Sequence, residues 1–267
     1  LRIKFEEPRG ILKSNIGKND FSLICYLPSG EAVNYVEHYW CVEWDLRGQE
    51  SQIQEVLPHP SIHLVFDRNS SGIYGIITRK FMYQLKDHGL VFGVKFHPGA
   101  FYPFYKRDIS SITDKRLSLE RVFGDEGKRL EDIVLFQDSI EKVIHIIEEF
   151  IDGKVINIDQ NVNLARKLVT LILNDREIMK VEHVEQKSGI HKRRLQRIFS
   201  RYVGVGPKWV IKRYRIHQAL EDISQRKQID WSDIATNLGY YDQAHFIRDF
   251  KLYVGMTPEE YKRLSDK

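Results

Sequence analysis

Leu195-x-Arg197-x-Phe199-x-x-Tyr202-x-Gly204-x-x-Pro207 and Phe246-x-Arg248-x-Phe250-x-x-Tyr253-x-Gly255-x-x-Pro258 are one thirteen-residue pattern written twice, 51 positions apart. Each copy follows a short apolar helical stretch and a glycine, Val184 to Gly189 in the first and Ile234 to Gly239 in the second. Apolar helix, tight turn and second helix is the order of a helix-turn-helix. A doubled unit of this kind predicts a chain that reads DNA with two heads.

In the first head the turn is Ser188-Gly189-Ile190 and the second helix is expected from His191 to Tyr202. Leu195, Ile198, Phe199 and Tyr202 share its inner face. Arg193, Gln196, Arg197 and Arg201 share the outer one, with His191 and Lys192 near the end that enters a groove. Arg grips guanine O6 and N7 with two hydrogen bonds and Gln does the same for adenine N6 and N7, each good pair being worth about 1–3 kcal/mol of discrimination. In the second head Asp242 is a natural N-cap, and the outer face offers Gln243, Ala244, His245 and Arg248, a less basic set. Ala235 has the small side chain that close helix crossing needs, whereas Glu185 holds the equivalent place in the first head. Between the heads, Pro207 opens a helix through Trp209, Val210, Tyr214 and Leu220, long enough to separate them by about 26 Å and set them on adjacent turns of B-DNA.

The charge follows the same division. The whole chain carries +4, but residues 158–267 hold 21 Lys+Arg against 14 Asp+Glu, while the preceding residues hold 20 against 23. From Lys187 to Leu220 no acidic residue occurs, and Lys187, Lys192, Arg193, Arg194, Arg197, Arg201, Lys208, Lys212, Arg213 and Arg215 all fall inside. A polyanion partner follows from that excess.

The 267 residues suit two units, residues 1–157 and 158–267, with helix-turn-helix units at about 181–202 and 231–253. At 42% hydrophobic and 29% charged residues the composition is that of a globular protein. No run approaches about 18 apolar residues, and nothing around Leu1 has the order of a secretion signal. Cys25 and Cys41 are too few for a disulfide framework or a cysteine zinc site, so a reducing cytoplasm is expected.

The first half reads as strands. Phe21 to Leu27, Tyr35 to Leu46, Gln52 to Leu57, Ser61 to Asp67, Gly72 to Thr78, Lys80 to Lys86 and Leu90 to Phe96 are aromatic and β-branched runs separated by turn residues. Seven short strands at this spacing predict an antiparallel sandwich or small barrel, and so an α+β protein with an all-α C-terminal domain. Helical periodicity follows, with Leu119, Val122 and Phe123 behind Ser118, then Ile140, Val143, Ile144, Ile147 and Ile151. These helices are expected to cover one face of the barrel. Gly153-Lys154 and the polar stretch from Asn157 to Asn163 mark the junction, too short to let the two domains move independently.

The run Ile234-Ala235-x-x-Leu238-Gly239-Tyr240-x-Asp242-x-x-His245-Phe246-x-Arg248-x-Phe250-Lys251-x-x-x-Gly255-x-Thr257-Pro258-x-x-Tyr261-Lys262 resembles the signature of the AraC/XylS family of bacterial transcription regulators, over residues 158 to 265. The resemblance implies two helix-turn-helices joined by a long helix, one monomer reading a non-palindromic site over two major grooves. It places base readers on Arg193, Gln196 and Arg197 and on Gln243, Ala244, His245 and Arg248. Implied partners are double-stranded DNA, RNA polymerase and a small-molecule effector; a cytoplasmic activator, monomeric or homodimeric, with no cofactor and no membrane is the expectation. Departures from the pattern are Glu185 and Ala244, where a serine is common. The N-terminal half resembles, more loosely, uncharacterised β-rich domains attached to some family members, through Leu57-Pro58, Leu64-Val65-Phe66-Asp67, Gly93-Val94-x-Phe96-x-Pro98-Gly99-x-Phe101 and Leu119-x-x-Val122-Phe123-Gly124. That implies a sensor or dimerisation module.

Other chemistry is weaker. His59, His63 and His97 are candidate barrel metal ligands, but His59 sits between two prolines and no acidic fourth ligand is marked. Tyr39, Trp40, Trp44, Phe101, Tyr102, Phe104 and Tyr105 either line an effector pocket, with Trp40, Trp44 and Tyr102 as the chosen candidates, or form plain core. Glu37 and His38 are expected at the surface. The alternative to a regulator is a DNA-targeted enzyme or metal-binding protein with its chemistry in the barrel, for which no nucleophile motif or phosphate loop is found.

Overall fold

The computed structural model describes residues 3–4, 12, 20–154, 159–225 and 229–265. Nine strands occur among them: β1 (Ile3–Lys4), β2 (Phe21–Tyr26), β3 (Val36–Asp45), β4 (Gln52–Val56), β5 (His63–Phe66), β6 (Gly72–Tyr74), β7 (Phe81–Leu85), β8 (His88–Phe96) and β9 (Arg116–Leu117). The seven runs legible in the sequence are β2 to β8, while β1 and β9 are two-residue pairings too short to leave a period. All pairings are antiparallel, with one sheet in the order β1-β2-β3-β8-β5-β6-β9 and a separate ribbon β4-β7.

Glycine decides how the centre of the large sheet packs. Trp40 is paired with Gly93 and Trp44 with Gly89 across β3 and β8. A Cβ at either glycine would collide with the facing indole, so the missing side chains let both rings lie flat on the sheet. The register of β3 against β8 shifts between Val36 and His38, a bulge that breaks the in-out alternation of the strand. That bulge corrects the surface placement of Glu37 and His38: His38 is buried and Glu37 is half-buried against Lys95.

Helices α1 (Tyr102–Tyr105), α2 (Leu119–Phe123), α3 (Asp125–Leu135) and α4 (Ile140–Asp152) follow. Ser118 and Ser139 cap α2 and α4 by accepting the N–H groups of Arg121 and Lys142. The stripe Val143, Ile144, Ile147 and Ile151 joins a core that holds Tyr39 and Phe92, so α4 covers the large sheet as expected. The sequence hid α3, because its buried face is Gly127, Leu130 and Val134 amid charged residues.

The second half is helical throughout: α5 (Gln160–Asn174), α6 (Val181–Ser188), α7 (Lys192–Ile198), α8 (Pro207–Gln225), α9 (Trp231–Asn237), α10 (Gln243–Val254) and α11 (Pro258–Ser265). The junction expected at Asn157 lies outside the described residues. Nineteen residues make α8 about 28 Å long. It is buried on nearly all sides, as a helix is that forms the centre of a domain. One continuous core runs from Ala32 in the β-rich half to Tyr214 in α8, taking in Leu195, Ile198 and Phe199 of the first head. A second core gathers Ile234, Leu238, Phe246, Phe250 and Val254 of the second head with Leu12 and Leu57 from the β-rich half. Both heads are therefore packed on the N-terminal half, and each fully buried Leu or Phe across those seams contributes about 1.5–3 kcal/mol.

Candidate nucleic-acid interface and cavity

The two heads share a frame. Gly189 and Gly239 each end the first helix of a unit at φ +68°, a left-handed turn that glycine enters without the Cβ clash. The second helices then start from different caps. Asp242 accepts the N–H of His245 at 2.7 Å, whereas His191 offers only its ring Nδ1 to the N–H of Arg193 at 3.3 Å. Glu185 makes up the difference. Its carboxylate accepts the N–H of Lys192 at 3.1 Å and lies 3.8 Å from His191 Nε2. The residue that departs from the small side chain of Ala235 thus holds the N-terminus of the first recognition helix, where a negative charge is favoured by the helix dipole.

Leu195, Ile198, Phe199 and Tyr202 are buried, and Arg193, Arg194, Gln196 and Arg197 are exposed. Arg193, Arg194 and Arg197 make no ion pair among the described residues. Lys192 is held by Glu182 at 3.0 Å. Helix α7 ends earlier than expected and passes into a wider π turn at Phe199–Val203, closed by the Gly204 N–H on the Phe199 carbonyl at 2.7 Å. That turn is fastened to the β-rich half: Thr113 Oγ1 donates to the Gly204 carbonyl at 2.7 Å, and Ser200 Oγ meets Ser110 Oγ at 3.2 Å. Arg201, expected on the DNA face, donates from Nε to the Tyr102 hydroxyl at 2.9 Å and lies 3.7 Å from Asp108. It serves the same seam.

In the second head Ala244 and Arg248 are exposed on α10. Gln243 and His245 are half-buried, with Gln243 accepting a hydrogen bond from Ser232 Oγ at 3.3 Å. His245 stands edge-on to Tyr240, centroids 5.1 Å apart, and 3.8 Å from Asp249. Two exposed residues beside these faces were missed, Arg194 and Tyr241, the latter 94% exposed just before α10. Their signals were present: Arg194 sits inside the basic run, and only one of the adjacent Tyr240 and Tyr241 could enter the core.

The basic run divides sharply on folding. Lys187 pairs with Asp175 and Glu177, and Lys212 pairs with Asp249 at 2.8 Å. Arg213 is fully buried in α8, its guanidinium 4.6 Å from the Trp209 ring centre and 4.8 Å from that of Tyr253. Burial lowers its pKa to about 10, which keeps it charged at neutral pH. Arg215 donates to the Met179 carbonyl ahead of α6 and lies 5.7 Å from the ring of Tyr240 ahead of α10. One buried side chain so ties the approach to one head to the turn of the other.

A cavity of about 220 Å³ lies between the large sheet and the β4-β7 ribbon. Trp40 and Trp44 line it, together with Phe21, Phe81, Tyr83 and Gln54. Tyr102 does not: it packs at the interdomain seam, tilted against the Tyr202 ring with centroids 4.4 Å apart. Tyr39 and Phe101 are plain core, with Phe104 and Tyr105 packed against it. Trp40 Nε1 donates to His63 Nδ1 at 3.2 Å. Burial, aided by Lys95, holds the His63 pKa near 3, so the ring is neutral with its proton on Nε2. Burial pushes the Glu37 carboxyl upward, but Lys95, 2.9 Å away, outweighs it and holds the pKa at about 2.

The three histidines considered as metal ligands go separate ways. His59 stacks on His217 of α8, His63 is bonded to Trp40, and His97 feels the charge of Arg166 in α5. Among the described residues no group of three His, Cys, Asp or Glu side chains converges on a metal-sized point. Among them, too, no helix is long and apolar enough to cross a membrane.

Comparison with known proteins gives two domain matches. Residues 185–264 match a helix-turn-helix domain family, and residues 25–118 match a domain of unknown function, DUF6597. The chain is 35% identical over 88 residues to the HTH-type transcriptional activator AarP of Providencia stuartii, covering 33% of this chain and 64% of that protein, just under two thirds of its length. It is 32% identical over 101 residues to the probable transcription factor PqrA of Proteus vulgaris, covering 38% of this chain and 82% of that one. Among solved structures, ToxT from Vibrio cholerae aligns over 92% of this chain and 98% of its own at 14% identity, with a TM-score of 0.36.

Proposed function

We propose that this chain, which belongs to the AraC/XylS family of bacterial transcription regulators, reads an asymmetric DNA site over two adjacent major grooves and is controlled through the cavity of its N-terminal half. The observation that carries the first part is the inequality of the two outer faces. Arg193, Arg194, Gln196 and Arg197 stand exposed on one, against Ala244 and Arg248 on the other. Arg193, Gln196 and Arg197 act as base readers at one end, with His191 and Lys192 beside them. Ala244 and Arg248, flanked by Gln243 and His245, read the other end. A strut of about 28 Å against a groove repeat of about 34 Å draws the DNA toward the protein. A single monomer, residues 158–267 forming its DNA-binding unit, carries both heads.

Control is supported by the segment from Val56 to His59, which lines the cavity on one side. Its Leu57 enters the core of the second head, and His59 stacks on His217 of α8 with ring centroids 4.3 Å apart. A molecule that shifts this segment shifts the second head relative to the first, which is anchored separately by Thr113, Ser110 and Tyr102. The function assigned is regulation of transcription with RNA polymerase in a bacterial cytoplasm, and no catalysis is part of it.

The test is footprinting on a site selected from random DNA. Protection of two neighbouring major grooves on one face of the duplex is the expected result. Protection of one isolated groove, or a palindromic selected site, would overturn the two-head reading.

A further inference from the structure

The cavity wall carries chemistry of its own. Trp40, Trp44, Phe21, Phe81 and Tyr83 make it aromatic on several sides. Its charged groups are already answered: Lys95 by Glu37 at 2.9 Å, and Asp67 by the hydroxyls of Ser70 and Tyr83 at 2.9 and 2.8 Å and the N–H of Asn69 at 3.0 Å. An ionic guest would have to break one of these sets and leave a buried charge alone, at a cost its own charge would not recover.

Gln54 differs from these groups. Its Nε2 donates to the backbone carbonyls of Leu12 at 3.3 Å and Glu55 at 3.0 Å, which sets the amide orientation, since a flip would point oxygen at oxygen. Its Oε1 is buried and accepts no hydrogen bond among the described residues. A buried acceptor left empty costs stability until a donor reaches it. For size, an engineered apolar cavity of about 150 Å³ holds benzene. A space of about 220 Å³ has room for a second fused ring.

We propose that the cavity takes an uncharged, largely aromatic molecule about the size of two fused rings, carrying one hydrogen-bond donor for Gln54 Oε1. This rests on the reading of the cavity as the control site and names the class of ligand for it.

The experiment is calorimetric titration of the full chain with four probes: indole, benzothiophene as the same shape without the N–H donor, indole-3-acetate as an anion and tryptamine as a cation. Indole should bind about tenfold more tightly than benzothiophene, the effect of one satisfied buried hydrogen bond. Gln54→Leu should bring the two to equal affinity. Because Gln54 also anchors Leu12, Val65→Phe provides a second variant; it fills the cavity without touching that anchor and should abolish binding of every probe. Equal affinity of indole and benzothiophene for the native chain, tighter binding of either ion, no binding of any probe, or binding that survives Val65→Phe would each overturn the proposal. Indole that binds as stated but leaves DNA affinity unchanged would uphold the ligand class and remove the control reading, so the two failures are distinguishable.

Discussion

Arg213 of the strut donates a hydrogen bond of 2.7 Å from Nη2 to the carbonyl oxygen of Thr78, in the β-rich half. The sequence counts this arginine among ten basic residues that suggest a polyanion partner, yet the side chain never reaches solvent. Arg213→Ala should therefore lower stability by about 3 kcal/mol, from one charge-assisted hydrogen bond and two ring contacts. It should leave the salt dependence of DNA binding unchanged at temperatures where the variant is folded. Arg194→Ala should do the reverse, keeping stability and reducing the salt slope by about one. Denaturant midpoints and binding at several salt concentrations measure both; a reduced slope for the Arg213 variant would contradict its structural role.

Arg197 and Arg201 lie four residues apart, and the proposed reading gives them different tasks, since only Arg201 is held by Tyr102. Replacement of Arg197 by Ala is expected to cost about 1–3 kcal/mol on the selected site and little on random DNA. Replacement of Arg201 by Ala is expected to weaken the seam with Tyr102 and leave base preference intact. Tyr102→Phe should reproduce that stability loss. Gel-shift affinities on selected and random duplexes separate the cases, and equal losses on both duplexes for the Arg197 variant would reduce it to a phosphate contact.

Glu185 acts as a cap at the first recognition helix, so Glu185→Ala, although it copies the second head, should cost about 1 kcal/mol. Glu185→Gln keeps an acceptor for the Lys192 N–H and should lose less. Equilibrium unfolding gives the comparison. A stabilised Ala variant would show instead that helix crossing, and not capping, governs this position.

Acid should destabilise the fold from neutral pH downward. His63 and His97 hold pKa values near 3 and 4, well below the ordinary 6.5, because burial disfavours their charged forms and Lys95 and Arg166 repel a second charge. The unfolded chain takes up these protons near 6.5 and the folded chain only near 4 and 3. Stability is therefore complete above about pH 6.5 and falls as pH drops through that window. Glu37, held at about 2 against an ordinary 4.5, extends the loss between those values. Melting temperatures should hold from pH 7.5 to about 6.5 and fall from there to pH 4.5, and His63→Gln should flatten the decline; a profile unchanged by that substitution would contradict the neutral ring.

Much of this was legible in local pattern. The doubled motif, the glycine turns, the Asp242 cap and the seven strands β2 to β8 are written in residues that act on near neighbours. The hidden parts have long-range causes. The bulge at Val36/His38 that turns Glu37 and His38 inward depends on the pairing of β3 with β8. The short pairings β1 and β9 exist only because a partner strand is present. Tyr102 and Arg201 look like pocket and DNA residues until the two halves are docked.

By itself the sequence determined that there are two heads, which residues form their cores, and that their outer faces differ. Periods of 3.6 and 2, caps and turn glycines are local rules, and both copies obey them. Only the tertiary structure decided which of the like-looking residues are free to meet DNA. A guanidinium is the same group on Arg197 and on Arg213, and its role depends on whether the surface around it is water or the stacked rings of Trp209 and Tyr253. Burial is set by what the rest of the chain brings near, and no spacing along the chain records that.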